Sequence, residues 1–251
     1  MQTDKKILVC LIGLIIGAAA AGTACKPAAD RGAGGLAVVS PDGSLAIALA
    51  IESKTQPYLP GKRLYYRVSY KGTPVVADSP LGLDIAGAPA LERDLEVVET
   101  RKRSNDSTWE NAFGALRTVP DRYNELVVAL RERNAPNRRV DVVLRAYDEG
   151  VAFRYVLPKQ ESLGEFTLAA ENTGFYFADG ARALALNLGR WDTSNEGPYE
   201  WIALGDIKPA SLVHTPLLVH MEGAGLWAAL LEADLTAYAG LSAGGVAAVP
   251  H

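Results

Sequence analysis

Cysteine and histidine are scarce in this chain of 251 residues. Only Cys10 and Cys25 occur, and Cys10 lies in a segment that we expect to be removed, so no internal disulfide is predicted. The three histidines, His214, His220 and His251, have none of the spacings typical of a zinc site. Zinc enzymes and disulfide-stabilised small domains are therefore disfavoured.

Basic runs and short catalytic motifs are also missing. The net charge is -4, and a nucleic-acid groove needs clustered Lys and Arg, so that class is disfavoured. The small clusters Arg101-Lys102-Arg103 and Arg138-Arg139 are predicted to lie in solvated hairpin loops. The chain contains no Gly-x-Ser-x-Gly nucleophile elbow, and its glycine-rich spots lack the lysine context of a phosphate-binding loop.

The one long apolar run lies at the start of the chain. Lys5-Lys6 precede the apolar residues Ile7 to Ile16, and small residues follow as far as Ala24. This order is typical of an export signal, and the run is shorter than the roughly 20 residues that span a bilayer as a helix. We predict that residues 1–24 are a signal peptide outside the fold and that the bacterial chain is exported to the periplasm.

Cys25 would become the first residue if cleavage follows Ala24. A cysteine after Gly22-Thr23-Ala24 is typical of lipoprotein processing, although Gly22 stands where Leu is usual. The predicted modification is a lipid on Cys25, which would anchor an outer-membrane lipoprotein. The alternative is a soluble periplasmic protein in which Cys25 is a free thiol. Residues 25–35 are polar and rich in Ala and Gly, which predicts a flexible tether.

From Leu36 onward the apolar residues follow a period of two. Leu45 to Ile51, Leu64 to Tyr70 and Val140 to Tyr147 alternate apolar residues with smaller or polar ones, the pattern of half-buried strands. Turn signals such as Asp148-Glu149-Gly150 recur roughly every 8 to 12 residues. Residues 36–251 are therefore predicted to form an all-β domain, a large antiparallel sandwich.

A few segments required a choice between patterns. Leu91, Leu95 and Val98 also fit a helical spacing, but the flanking pattern favours a strand. Phe175 and Phe177 are predicted to lie in a strand. Trp109 and Trp227 fall in strand-like sequence and are predicted to fill the core.

Several short motifs occur in a fixed order along the chain. They are Ser40-Pro-Asp-Gly43, Leu64-Tyr-Tyr66, Val68-Ser-Tyr70, Ser79-Pro-Leu-Gly-Leu83, Trp109, Asp121-Arg-Tyr-Asn-Glu-Leu126, Arg145-Ala-Tyr-Asp-Glu-Gly-Val-Ala-Phe-Arg-Tyr155 and the segment from Glu232 to Ser242. This ordered set resembles the N-terminal domain of glycoside hydrolase family 97, whose enzymes hydrolyse α-glucosides and α-galactosides. The resemblance implies a β-super-sandwich.

The resemblance also implies a catalytic domain that this sequence does not contain. Family members carry their catalytic acid and their base or nucleophile on a (β/α)8 barrel, which needs about 250 residues of alternating strand and helix. The β-pattern occupies the whole of this chain. No residue is therefore assigned a catalytic role, and the chain alone is expected to be inactive; the missing barrel is its expected partner.

The resemblance further implies a Ca²⁺ ligand in this domain. In family members a Glu of a Tyr-Glu-x-x-Tyr-like segment helps to hold a Ca²⁺ beside the sugar, and the best match here, Ser194-Asn-Glu-Gly-Pro-Tyr199, places it on Glu196. Calcium takes six to eight oxygen ligands, so we expect an incomplete site in this chain. One alternative is that Glu196 is a solvated loop carboxylate. Another is that the ligand is one of the acidic residues nearby in sequence, Asp192, Glu200 or Asp206.

Aromatic residues suggest where a carbohydrate would bind. Trp191, Tyr199 and Trp201 cluster in one short segment with Gly and Pro, and sugar rings stack on exposed aromatic faces. The alternative for these residues is packing in the core or at a domain interface. Two functions remain open: the substrate-side domain of a truncated or split α-glucosidase or α-galactosidase, or a stand-alone exported glycan-binding lipoprotein.

Overall fold

Strands account for most of the structure, a computed structural model that describes residues 5–15, 35–190, 192–208, 211–233 and 242–243. Two short 3₁₀ turns, Leu204–Asp206 and Glu222–Ala224, also lie in these ranges, and neither is long or apolar enough to cross a membrane. The strands are β1 (Lys5–Ile15), β2 (Ala37–Val39), β3 (Leu45–Ser53), β4 (Lys62–Tyr70), β5 (Thr73–Pro80), β6 (Leu83–Ile85), β7 (Leu95–Glu110), β8 (Thr118–Glu132), β9 (Arg139–Tyr147), β10 (Gly150–Leu157), β11 (Leu168–Glu171), β12 (Arg182–Ala185), β13 (Glu200–Ala203), β14 (Val213–His214), β15 (Leu217–Met221), β16 (Leu226–Ala233) and β17 (Ser242–Ala243).

Two antiparallel sheets pack face to face. Among the described strands, the larger sheet has the order β13-β12-β15-β16-β1-β10-β9-β8-β7, and the smaller has the order β2-β3-β4-β5. Strands β2 and β3 lie against β8, β9 and β10. Two short ladders, β11-β6 and β14-β17, lie beside the sheets. The all-β sandwich predicted from the period-two pattern is confirmed.

The core forms where the inward faces of the two sheets meet. On β8, Leu126, Val128 and Leu130 are fully buried, and they alternate with residues of the opposite face. Leu144 of β9 and Tyr66 of β4 join the same cluster. Burying one such apolar side chain contributes roughly 1.5–3 kcal/mol, so this alternation is what holds the two sheets together.

The start of the chain contributes a strand to the structure. Lys5–Ile15 lies as β1 inside the larger sheet, between β10 and β16. It belongs to residues 1–24, which we predict to be a signal peptide. An apolar segment satisfies its backbone groups by pairing with two strands, which explains the position. Removal of this segment on export stays a prediction. Cys25 lies outside the described residues, and its lipidation also stays a prediction.

Strands β7 and β8 form a much longer hairpin than the sequence predicted. Their pairing runs from Leu95↔Glu132 to Glu110↔Thr118. The cluster Arg101-Lys102-Arg103 lies within β7, so its placement in a loop was wrong. Trp109 is 51% exposed, so its placement in the core was wrong too. β7 is an edge strand with little packed against it. A residue can therefore lie in this strand without its side chain being buried.

The segment around Phe175 is extended but is not part of a regular ladder, so the strand predicted there was wrong. Both Phe175 and Phe177 are buried, as a strand would bury them. The chain pairs irregularly with the end of β5, because the Tyr176 N–H donates to the Ser79 hydroxyl at 2.9 Å and not to a backbone carbonyl. Pro80 has no N–H to donate and lies against Gly174, whose own N–H donates to the Pro80 carbonyl at 2.8 Å.

Two of the family-like motifs form one cluster on the outer face of the larger sheet. Glu125 of β8 lies opposite Arg145 of β9, and Tyr123 lies opposite Tyr147. The carboxylate of Glu125 is 1% exposed and contacts Arg103 at 2.6 Å and Arg145 at 2.7 Å. Burial alone would raise the pKa of Glu125, but the hydrogen bonds and charges of the two guanidinium groups hold this pKa below its ordinary value.

A second ion pair closes the β8–β9 hairpin. Arg138 was predicted to be solvated, but its side chain is 1% exposed. Its Nε donates to Glu132 Oε2 at 2.8 Å, and its Nη2 donates to Glu132 Oε1 at 2.5 Å and to the Pro89 carbonyl at 2.8 Å. Arg138 lies in the hairpin loop predicted for it, whereas Arg139 begins β9. The predicted solvation of Arg138 was wrong because Glu132 and Pro89 supply partners inside the protein.

Replacing Arg138 with Ala should lower the free energy of unfolding by about 3–5 kcal/mol, because the Glu132 carboxylate would stay buried without its partner. Urea unfolding followed by circular dichroism measures the change. Arg117→Ala is the matched control, since Arg117 forms an exposed pair with Glu110. Equal stability of the two variants would contradict the structural role of Arg138.

Replacing Glu125 with Gln should weaken the acid dependence of stability. The pKa of Glu125 is lower in the folded chain than in the unfolded chain. Its contribution to the free energy of unfolding is therefore fully present above the pKa of the unfolded chain, and it is lost as the pH falls through the pKa of the folded chain. We expect the wild type to exceed the variant in unfolding free energy at pH 7 and the difference to shrink toward pH 3. Parallel stability curves between these pH values would contradict this assignment.

Candidate functional site

The connection from β12 to β13 carries most of the residues that sequence reasoning selected. It begins at buried Leu186 and is fixed at its start by Asn187, whose Oδ1 accepts the backbone N–H groups of Gly189 at 3.2 Å and Leu212 at 3.1 Å. The Leu188 N–H donates to the Leu212 carbonyl at 2.9 Å. The loop is therefore anchored to the chain that precedes β14.

The turn before Glu196 has a backbone geometry that selects its residues. Asn195 has φ of 57°, a left-handed conformation that Asn adopts more readily than Tyr. Its N–H donates to the Thr193 hydroxyl at 3.1 Å. A Cβ at Gly197 would lie 2.9 Å from Leu186 Cδ1, so the glycine lets the loop close over Leu186. This geometry explains why Asn stands where the family-like pattern has Tyr.

Glu196 follows Asn195 in this turn, and its side chain is exposed. The neighbouring charges, Arg190 and Asp192, form an exposed pair at 3.7 Å. In the part of the chain that the structure describes, no three His, Cys, Asp or Glu side chains are grouped closely enough to hold a metal ion. Calcium takes six to eight oxygen ligands, so one carboxylate alone does not make a Ca²⁺ site. Glu196 is available as one ligand only.

Three aromatic side chains meet on the outer face of the larger sheet, near its β13 edge. The ring centroids of Trp201 and Trp227 lie 5.6 Å apart. The ring of His220 stacks on Trp227 with a centroid distance of 4.0 Å and an angle of 16° between the ring planes. The Arg182 guanidinium lies 5.9 Å from the Trp201 ring. We call Trp201, His220, Trp227 and Arg182 the aromatic ledge. Trp201 is 43% exposed, so an aromatic face remains open to solvent.

The structure brings only part of the predicted sugar site together. Trp201 belongs to the aromatic ledge, while Tyr199 is 49% exposed just before β13 and has no ring contact with the ledge among the described residues. Trp191 lies outside the described residues. Trp227 was predicted to fill the core, but it is half-buried on the opposite face of the sheet.

Sequence reasoning missed His220 and Trp227 as partners of Trp201, although a signal was present. The core residues of β15 and β16 are Leu217, Val219, Met221, Leu226, Ala228 and Leu230. His220 and Trp227 alternate with that set, so they must face the other side of the sheet. Their pairing across the two strands then places them together, as the register His220↔Trp227 shows.

The chemistry of the aromatic ledge suits binding and not proton transfer. Indole faces pack on the C–H groups of a sugar ring, and a guanidinium such as that of Arg182 donates hydrogen bonds to hydroxyl groups. Glycoside hydrolysis needs two carboxyl groups placed across the scissile bond. The ledge itself contributes none.

Comparison with known proteins gives a consistent picture. A family model described as Glycosyl-hydrolase 97 N-terminal matches residues 38–245. A probable retaining alpha-galactosidase of Streptomyces bingchenggensis (strain BCW-1) is 30% identical over 173 residues, which are 69% of this chain and 25% of the relative. A retaining alpha-galactosidase of Bacteroides thetaiotaomicron is 22% identical over 213 residues, 81% of this chain and 29% of the relative. The chain thus spans about a quarter to a third of the length of these relatives.

Solved structures match the fold as well. A glycoside hydrolase family 97 enzyme of Pseudoalteromonas sp. strain K8, as its E480Q form in complex with panose, has a TM-score of 0.65 and 27% identity. The match covers 74% of this chain and 27% of that enzyme. The same enzyme in complex with acarbose gives a TM-score of 0.64. A beta-arabinopyranosidase at 21% identity and a TM-score of 0.64 shares the fold over 84% of this chain and 37% of its own.

Proposed function

Because this chain belongs to the N-terminal domain family of glycoside hydrolase 97 over residues 38–245, we propose that it is the carbohydrate-associated domain of an exported family 97 enzyme. Its parent enzyme hydrolyses α-linked galactosides or glucosides. The two curated relatives are an alpha-galactosidase and a probable one, and the Pseudoalteromonas enzyme was crystallised with panose and with acarbose. These names support an α-linked substrate.

The observation that carries the proposal is the aromatic ledge. Trp201 offers an indole face to solvent at the edge of the larger sheet, and Trp227 and His220 fix its position from β16 and β15. Glu196 lies in the connection from β12 to β13, four residues before β13, and Trp201 belongs to β13. One short segment therefore presents both a stacking surface and an exposed carboxylate, which suits a sugar bound at the margin of an active site.

We assign no hydrolysis to the chain by itself. The resemblance to family 97 implies that the catalytic acid and the base or nucleophile lie on the barrel. The chain spans only a quarter to a third of the length of its relatives. The most buried carboxylate of the sheet, Glu125, is held by Arg103 and Arg145, which keeps it ionised and unsuited to donate a proton. It serves the fold.

The tip of the β7–β8 hairpin is the surface proposed to contact the barrel. Trp109, Phe113 and Leu116 are 51%, 85% and 61% exposed, and they lie within eight residues of one another at the hairpin end. Single exposed apolar residues are ordinary, but three large ones at one tip are typical of an interface. A catalytic domain of the same enzyme is the partner that fits this proposal.

Glu196 is proposed to supply one oxygen ligand to a Ca²⁺ whose other ligands lie on the barrel. Its exposure and its place in an anchored loop support this role, since a ligand shared between domains must face outward. The ion would sit beside the bound sugar and polarise its hydroxyl groups. The chain alone would then bind Ca²⁺ only weakly.

A second candidate function is a stand-alone exported glycan-binding protein, anchored through a lipid on Cys25. One observation favours it: every residue of the aromatic ledge belongs to this chain, so a glycan could be held without a barrel. The two functions differ in how tightly the isolated chain holds a sugar.

The full chain, which keeps β1, should bind panose weakly, in the millimolar range, because one stacking surface buries little of the sugar. Titration followed by nuclear magnetic resonance should shift the indole N–H signal of Trp201. Trp201→Ala should weaken binding at least tenfold, about 1.4 kcal/mol. The matched control is Trp109→Ala, which removes an equally exposed indole from the distant hairpin and should leave binding unchanged.

Other outcomes of this titration decide between the candidates. Micromolar affinity would favour the stand-alone binding protein, and absence of any shift at Trp201 would contradict the sugar role of the aromatic ledge. The same preparation should release no nitrophenol from nitrophenyl α-galactoside or α-glucoside. Turnover above an enzyme-free blank would contradict the proposed inactivity.

Calorimetry with CaCl₂ should show no stoichiometric uptake by the full chain, because one carboxylate cannot replace the hydration shell of the ion. Glu196→Gln should therefore behave as the wild type in this measurement. Submicromolar binding that Glu196→Gln abolishes would contradict a site divided between two domains. Glu161→Gln, an exposed loop carboxylate away from β13, is the control for non-specific binding.

A further inference from the structure

Strand β1 occupies an internal position in the larger sheet. It pairs with β10 from Lys5↔Leu157 to Gly13↔Gly150, and with β16 from Val9↔Ala233 to Ile15↔Trp227. Both pairings are antiparallel, so β10 and β16 run parallel to each other on either side of it. Two strand spacings, about 9.6 Å, separate them.

The occupant of this position is the segment predicted to leave on export. Without Lys5–Ile15, eight positions of β10 and seven of β16 lose their partners in the middle of the sheet. Unpaired backbone N–H and C=O groups away from water are costly, and open strand edges recruit other strands. The exported chain therefore needs another strand in this gap.

The two edges cannot simply close on each other. Direct pairing of β10 with β16 would move the four strands β13, β12, β15 and β16 inward by one strand spacing, about 4.8 Å. The buried residues Val219, Ala228 and Leu230 on those strands are packed into the common core and would have to move with them. A close-packed core does not accept such a shift.

The side chains that border the gap define what it accepts. On the core face, Phe153 and Leu230 are 2% exposed and Ala228 is fully buried. On the outer face, Ala152 is buried and Leu231 is half-buried. Most residues that border the gap are apolar on both faces, and Arg154 and Glu232 are the charged exceptions near the Val9 and Cys10 end. This border fits a strand that is apolar on both faces, as Ile7 to Ile15 is in sequence.

We propose that the space between β10 and β16 is a strand-acceptor site in the exported protein. Its occupant is an extended apolar segment of about 8 to 11 residues, antiparallel to both neighbours and supplied by the polypeptide that follows this domain in the longer enzyme. This source rests on the proposed function, and the relatives, three to four times longer than the matched region, provide the chain length for it.

The test compares amide hydrogen exchange in three versions of the protein. The first begins at Cys25. The second begins at Cys25 and carries residues 5–15 after His251, joined by a flexible Gly-Ser linker. The third is the same fusion with Leu11→Pro in the added strand, which removes an N–H and blocks pairing.

Exchange along β10 and β16 should be at least 100-fold faster in the first version than in the second, and the third should match the first. Strands β8 and β9, which keep their partners, provide the internal reference. If the first version does not fold, the second should regain cooperative unfolding and the third should not. Slow exchange of β10 and β16 in the first version would overturn the acceptor site.

Two further measurements test the occupant. Intact mass of the protein exported from a bacterial host should show a start at Cys25; retention of residues 5–15 would overturn the proposal, because the leader would then be the permanent strand. Appending the polypeptide encoded directly after His251 should restore slow exchange as the fusion does. A stop codon there, or no restoration, would overturn the proposed source. Panose titration of the same samples reports on the sugar role separately.

Discussion

The structure depends on an aromatic seam between the two sheets, formed by Tyr66, Phe153 and Tyr155. Each of these residues is no more than 2% exposed, and the ring centroids of Tyr66 and Phe153 lie 4.9 Å apart. The Tyr66 hydroxyl donates to the Gly174 carbonyl at 2.8 Å, and the Tyr155 hydroxyl accepts the Gly82 N–H at 3.2 Å. The seam thus joins the sheets and also fixes the extended chain that leads into β12, the strand before the candidate site.

This seam explains why the sequence identified the family so well. Tyr66, Gly82 and Tyr155 each belong to one of the short ordered motifs, and the pairing of Glu125 with Arg145 joins the Tyr155 motif to one further motif on the adjacent strand. Such residues are constrained by contacts that hold the fold together. The alternating pattern likewise predicted the sandwich, because burial on one sheet face is a local property of each strand.

Features that depend on distant partners could not be predicted in the same way. Arg138 looks solvated in sequence, and only Glu132 and the Pro89 carbonyl allow it to be buried. The aromatic ledge could not be predicted for a similar reason. Trp201 and Trp227 are 26 residues apart in sequence, and an indole side chain occurs in a core as well as on a surface. Strand register decides which face an aromatic residue occupies, and register follows from the assembled sheet.

The aromatic ledge and the strand-acceptor site are connected through the order of the larger sheet. The block β13-β12-β15-β16 carries Trp201, His220 and Trp227, and within this sheet its hydrogen-bonded path to β10 passes through β1. Whatever strand fills that position therefore sets where the ledge lies relative to the rest of the sandwich. If that strand comes from another part of the longer polypeptide, as proposed, the position of the ledge is fixed only when the two parts are joined.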